Sequence, residues 1–254
     1  TADGPYLTTW DATKGQGVLW KTPLPLPGNN SPIYWQDRIY LAGANDKTRA
    51  VYGVDAASGK LLWTTPVPVV SKGEPPHPTP DTGHAAATMA CDGQRVFAIF
   101  ANGDVAGLDR EGKLLWSKAL GTPDNVYGHA SSLAVYRNLL LVQMDQGNDP
   151  EAGQSYLLAL DTVTGKNVWR VDRPVPASWT SPIVVNTGAR DEIITVANPF
   201  VISYEAATGK ELWRVKCMGG EIAPSPVYAG GLVFAAQDGV ALVAIQPPTD
   251  QDPQ

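Results

Sequence analysis

The chain has 254 residues, of which 43% are apolar and 17% charged, enough for a fold that buries about 70–75% of the unfolded surface. Its 19 Lys and Arg against 25 Asp and Glu leave a net charge of -6, and the cations are scattered, which excludes the basic stripe that a nucleic-acid partner requires. No apolar run approaches the roughly 18 residues of a membrane-spanning helix, and Cys91 and Cys217 are too few for a disulfide scaffold or a zinc site.

Residues 1–15 read as an N-terminal extension. The opening TADGPYLTTW has neither an initiator Met nor an apolar signal core, so a removed targeting segment or a longer parent chain is expected. VLWK (18–21) is a first, isolated strand. SPIYW then turns through Gln36–Asp37 into RIYLAG, and AVYGVD turns through a glycine into a strand ending at Trp63. The same order returns from HAAATMA and RVFAIF to DVAGLD and Trp116. It returns again from HASSLAVY and LLLVQ to YLLALD and Trp169, and from SPIVV and EIITV to FVISYE and Trp213. A last unit, SPVY and LVFAA, follows. Short alternating or apolar runs bounded by turn residues predict strands, and no helical period intervenes. Each unit is a four-stranded antiparallel meander of about 50 residues, and radially stacked units of that kind are an all-β propeller. The repeats span 16–246, and 247–254 are a C-terminal tail.

The joint between third and fourth strands is the most regular feature. DAASGKLLW, DTVTGKNVW and EAATGKELW share one pattern, and DREGKLLW is one residue shorter. Gly59, Gly112, Gly165 and Gly209 suit a tight hairpin whose last loop residue takes a positive φ. The tryptophans, at spacings of 43, 53, 53 and 44 from Trp20, read as aromatics buried between blades, each supplying roughly 150–250 Å² of apolar area. Ser-Pro at 31–32, 181–182 and 225–226 marks innermost strands, since proline cannot donate to a ladder and belongs at a sheet edge. Four full meanders, three strands of a fifth and the N-terminal strand make 20. They close as a five-bladed ring, with residues 18–21 completing the last sheet, or form an arc of a larger ring.

The D-x-x-[ST]-G-K-x-x-W phrase resembles the tryptophan-docking repeat of pyrroloquinoline-quinone-type propellers over nearly the whole chain. LWKTPLPLPGNNSPIYWQDRIYLAG is similar to exported bacterial members of that family that are not dehydrogenases. The resemblance implies seven or eight blades, a periplasmic or otherwise exported location, and a non-catalytic binding or scaffold role without a cofactor. Its alternative is a dehydrogenase, or a fragment of one, holding pyrroloquinoline quinone with calcium. Dehydrogenases of the family carry adjacent cysteines and an aspartate base; Cys91 and Cys217 are not adjacent. MDQGNDPEAG, with Asp145, Asn148, Asp149 and Glu151, is the best local calcium candidate, its plainer reading being a polar loop. No Ser-His-Asp order, HExxH or phosphate loop is present. A third reading is a structural module fused into a longer parent, because fold alone does not give function.

Candidate contact residues follow from the topology. Segments leading into innermost strands share one face with the loops between second and third strands. That face gathers Asn30, His84, His129 and Trp179 from strand starts, and Asp46, Asn102, Asp145, Gln146, Asn198 and Gln237 from loops. His84 and His129 begin innermost strands of neighbouring blades and read as hydrogen-bonded rim histidines rather than metal ligands. His77 lies in a Pro-rich connection, about 65–83, long enough to act as a flap. Such a rim suits a polar small molecule or peptide; the plainer alternative is that it solvates a channel mouth. Cys91 and Cys217 are expected to remain free thiols.

Overall fold

A computed structural model of the chain describes residues 8–72, 74, 76–237, 239 and 241–248. The first sheet comprises β1 (Ile33–Trp35), β2 (Arg38–Ala44), β3 (Arg49–Asp55) and β4 (Leu61–Pro66). The second comprises β5 (Ala90–Cys91), β6 (Arg95–Ile99), β7 (Asp104–Asp109) and β8 (Leu114–Ala119). β9 (Ala134–Tyr136), β10 (Leu139–Met144), β11 (Tyr156–Asp161) and β12 (Asn167–Asp172) form the third. The fourth is β13 (Ile183–Asn186), β14 (Asp191–Ala197), β15 (Phe200–Glu205) and β16 (Glu211–Lys216). β17 (Val227–Ala229), β18 (Leu232–Gln237) and β19 (Ala241–Ile245) form a three-stranded fifth sheet. Every sheet is an antiparallel meander in chain order, as expected for propeller blades. The helical content among the described residues is one 3-10 turn, Pro150–Ala152.

The middle strands are the core. Between the first and second sheets lie Tyr40, Val51, Val96, Phe100 and Leu108, and between the third and fourth Leu141, Leu157, Ile193, Ile202 and Tyr204, all fully buried or nearly so. These strands are apolar on both faces because each blade is covered from both sides, whereas the outer strands alternate.

The repeated tryptophan locks consecutive blades. Trp63, Trp116 and Trp169 lie on β4, β8 and β12, and their rings cover Gly112, Gly165 and Gly209 of the next blade, glycines that hold φ of 90°, 67° and 74°. A Cβ on Gly112 would sit 2.5 Å from the Trp63 ring, so glycine serves both the turn and the close approach. The Trp63 indole N–H donates to Arg110 O at 3.2 Å and that of Trp116 to Thr162 O at 3.1 Å. Trp20 docks identically on the first blade, over Gly59, with its N–H to Ala56 O at 3.1 Å. Residues 18–21 form no strand and pair with no sheet, so the expectation that they complete the fifth sheet is corrected; Trp20 stands to the first blade as Trp63 stands to the second, the place of a preceding blade's outermost strand.

A second series runs along the inner edge. Ser31 N–H donates to Thr88 Oγ1 (3.1 Å), Thr88 N–H to Ser132 Oγ (3.2 Å), Ser132 N–H to Ser181 Oγ (2.9 Å) and Ser181 N–H to Ser225 Oγ (2.9 Å). This belt spans all five blades. Among the described residues it does not return from Ser225 to Ser31, and both end residues are exposed.

The innermost strands are shorter than their sequence patterns predict. HAAATMA contributes Ala90, and HASSLAVY contributes Ala134–Tyr136. The residues ahead of them are approach segments whose backbone groups bond the second-to-third-strand loops instead of a ladder. Ala101 N–H donates to His84 O, and Ala101 O accepts from His129 N–H; Gly147 bonds Asp124 O and Ala177 N–H in the same manner. Those paired loops make the channel mouth. Cys91 ends β5, Cys217 follows β16, and both are free.

Candidate functional site

The approach segment of the fourth blade carries Trp179, which is held on three sides. Its backbone N–H donates to Ile222 O at 3.1 Å, its indole N–H to Asn125 Oδ1 at 2.9 Å, and Tyr127 meets the ring edge-on at a centroid distance of 5.2 Å. Asn125 and Tyr127 belong to the approach of the third blade and Ile222 to that of the fifth, so three blades position one indole. It lines two open cavities, of about 670 and 580 Å³. Asp124, Asn125, Asn198 and Glu221 border the larger with His77, and Tyr127, Glu221 and Gln237 border the smaller.

Of the sequence-derived rim, the structure brings Trp179, Asn198 and Gln237 together at these cavities. The other residues lie elsewhere or turn inward. Asn30 is buried and satisfied, donating to Ala42 O and Ala85 O and accepting from Ala42 N–H. Asn102 is buried against Asp104, its Nδ2 at 2.7 Å from Oδ2. Gln146 accepts from Asp124 N–H and donates to Gln154 O, bracing the loop that carries it. Gln237, though at the smaller cavity, is largely buried and accepts from Gly219 N–H. Asp46 and His84 share a separate 320 Å³ cleft over the first two blades.

Two of the candidate rim residues, His129 and Asp145, turn inward. His129 is buried, with its ring Nε2 3.0 Å from Ser131 O. Enclosure without a counter-charge lowers its pKa to about 4, partly opposed by that carbonyl, so it is a neutral Nε2–H donor near neutrality. Asp145 is also buried. Its carboxylate forms a two-point pair with Arg173, Oδ1 to Nε at 2.7 Å and Oδ2 to Nη2 at 3.0 Å, and takes further bonds from Gln143 and Ser178. The physical reason is the partner: a guanidinium 28 residues downstream, itself fully buried, needs a counter-ion.

The calcium candidate also separates. Asp145 turns inward while Asp149 caps the 3-10 turn through Glu151 N–H, and Asn148, Asp149 and Glu151 are exposed. Among the described residues no group of three His, Cys, Asp or Glu is arranged to hold a metal ion. The larger cavity is bordered by Asp124 and Glu221 and by no Lys or Arg. A calcium-bound polycarboxylate quinone requires the opposite donor set, so these residues do not fit it.

Asn125, Tyr127 and Glu221 were not in the sequence-derived set. Glu221 carries no pattern of its own. Asn125 and Tyr127 lie in the same approach segment as His129, two to four residues away, and that proximity was the available signal.

The model of the family described as outer membrane protein assembly factor BamB matches residues 1–147 and 153–249. The chain belongs to this family. The BamB-type chain is also similar to a tetrathionate hydrolase of Acidithiobacillus ferrooxidans, at 27% identity over 205 residues, covering 75% of this chain and 35% of that protein. Among solved structures, BamB from Moraxella catarrhalis superposes with a TM-score of 0.55 at 18% identity, covering 83% of this chain and 55% of that one. A quinohemoprotein alcohol dehydrogenase from Pseudomonas putida HK5 gives a TM-score of 0.60 at 15% identity, with 89% and 41% coverage. That of Comamonas testosteroni gives 0.56 at 14%, with 82% and 40%. The chain thus spans about a third of the hydrolase and between two fifths and just over half of these structures. At these identities the structural likenesses establish the fold, which is common to assembly factors and quinoprotein dehydrogenases.

Proposed function

We propose that this chain is a binding β-propeller of the bacterial cell envelope whose contact region is the channel mouth around Trp179. Its membership of an outer-membrane assembly-factor family supports a periplasmic or otherwise exported location. The observation that carries the reading is the triple restraint of Trp179 by Asn125, Tyr127 and Ile222 between two open cavities. An aromatic fixed in that way is pre-organised to bind, because little freedom remains to be lost when a ligand or partner arrives. The site takes a polar small molecule or a peptide segment, oriented by Asn125 and Asn198 and stacked on the indole. No catalytic residue is assigned.

Likeness to the two quinohemoprotein dehydrogenases supports a second reading, in which the chain is one portion of a quinone-dependent enzyme's propeller. One measurement separates the two. Native mass spectrometry and metal analysis of the protein purified from its source yield, on the binding reading, neither quinone nor stoichiometric calcium. Both in one-to-one ratio establish the second reading.

A further inference from the structure

The mouth has a charge sign that narrows what it binds. Asp124 and Glu221 face the larger cavity, Glu221 also borders the smaller one, and neither carboxylate is in an ion pair among the described residues. Neither cavity is bordered by Lys or Arg, and His77 is the single basic side chain. On the outermost strands, Arg170 of the third blade is committed to Asp172 and the Tyr156 ring, and Arg214 of the fourth to Glu211 and the Phe200 ring. The charged side chains bordering the indole's two cavities are thus predominantly acidic, and Pro76, Pro123, Val126 and Pro176 give the larger one apolar patches among its polar lining.

An aromatic face, two unpaired carboxylates and apolar patches between them make up an environment that attracts a soft organic cation. The indole quadrupole is negative above the ring and draws cations to within about 6 Å of its centroid, tryptophan most strongly. A hard divalent ion is disfavoured, since it needs several converging oxygens and no such group is arranged among the described residues. An anion is repelled by both carboxylates. We propose that the Trp179 mouth binds an organic cation, an alkylated ammonium head group seated on the indole face and flanked by Asp124 and Glu221. This inference rests on the reading of the mouth as the contact region and adds the ligand class.

The test uses choline and its uncharged isostere 3,3-dimethylbutan-1-ol, which share shape and differ in charge. Binding is followed by the Trp179 indole resonance of ¹⁵N-labelled protein, assigned through Trp179→Phe. Choline is expected to shift that resonance saturably and the isostere to bind at least about tenfold more weakly, a difference that the Asp124→Asn/Glu221→Gln variant removes and Asp172→Asn retains. Equal binding of the two probes overturns the cation inference and leaves the mouth as the contact region. No shift with either probe overturns the inference and the contact-region reading together. Trp179→Leu, followed through the Asn125 side-chain amide, is expected to lose choline; undiminished binding there also overturns the proposal.

Discussion

Two blade junctions bury an arginine, and they treat it differently. Between the third and fourth blades, Arg173 uses every arm: Nε and Nη2 on Asp145, and Nη1 on Thr195 Oγ1 at 2.6 Å and Tyr204 OH at 3.1 Å. Burial alone would pull its pKa down, but Asp145 reverses the sign and holds it above the ordinary value. Between the first and second blades, Arg49 is also buried, yet its Nε and Nη1 have no partner among the described residues; Phe100 lies 5.9 Å below the guanidinium. Here burial wins over the nearby Asp104, and the pKa falls. A carboxylate is present at both junctions, but Asp104 is already occupied. It accepts from Val70 N–H, Ser71 N–H, Ser71 Oγ and Asn102 Nδ2, tying down the strap after β4. A nearby opposite charge satisfies a buried cation only when its lone pairs are free to face it.

The largest expected effect tests that contrast directly. Asp145→Ala strands a buried guanidinium and is expected to cost about 3–5 kcal/mol in urea denaturation. Arg49→Met, which removes a cation whose Nε and Nη1 lack partners among the described residues while keeping its volume, is expected to change stability by less than about 1 kcal/mol. Equal costs would show that Arg49 is paired in solution and would end the distinction.

A buried ionisable group without any counter-charge extends the comparison to pH. The folded pKa of His129, about 4, lies below the ordinary value near 6.5, so the unfolded chain binds more protons between those values. Stability is therefore complete above about pH 6.5 and is lost as pH falls toward 4, by up to about 3 kcal/mol. Urea midpoints at pH 7 and 4.5 are expected to converge in His129→Gln relative to the parent. An unchanged acid dependence in that variant would assign the loss to other groups.

The outer rim supplies a smaller perturbation that both junctions share. A Cβ on Gly53 would lie 2.2 Å from the Trp63 ring, so Gly53→Ala is expected to cost about 1–3 kcal/mol by overpacking. The equivalent position of the third blade, Ala159 opposite Trp169, already carries that methyl group. Ala159→Gly is expected to be milder at that site, where the same denaturation series is measured.

The smallest effect is the control. Thr88→Val breaks the inner belt at the first junction and Ser181→Ala breaks it before the fourth blade. Each is expected to cost about 1 kcal/mol, the usual net worth of one hydrogen bond. Equal losses would place the difference between junctions in the arginines and not in the blades as a whole.

Local chemistry explains how much was legible beforehand. The third-to-fourth-strand hairpin writes itself into consecutive residues: Asp55 accepts from Ser58 N–H at 2.8 Å, Gly59 takes φ of 71°, and Trp63 follows four residues on. All of that lies within one turn, so four copies are visible without coordinates. The Ser-Pro marks identified three of five belt positions, but Thr88 and Ser132 perform the same task without a neighbouring proline. Strand length failed on the inner edge because HAAATMA and HASSLAVY are apolar enough for a ladder. Their backbone groups instead bond the Ala101 loop, His84 O within its own blade and His129 N–H from the next.

The candidate site was less legible for the same reason. Topology pointed to approach segments and loops, and of the residues named from it Trp179 borders one cavity with Asn198 and another with Gln237. Whether a polar side chain on that face points to solvent or inward was decided by a partner far along the chain. Arg173 draws Asp145 inward, Ala85 O and Ala42 hold Asn30, and the Ser131 carbonyl holds the enclosed His129. The sequence by itself determined the repeat, its turns and the docking tryptophans, since each depends on dihedral preference and apolar pattern within about ten residues. Tertiary structure alone decided the pairing of buried charges and the placing of Trp179 between two cavities, because each depends on which groups of different blades come within hydrogen-bonding or Coulombic reach.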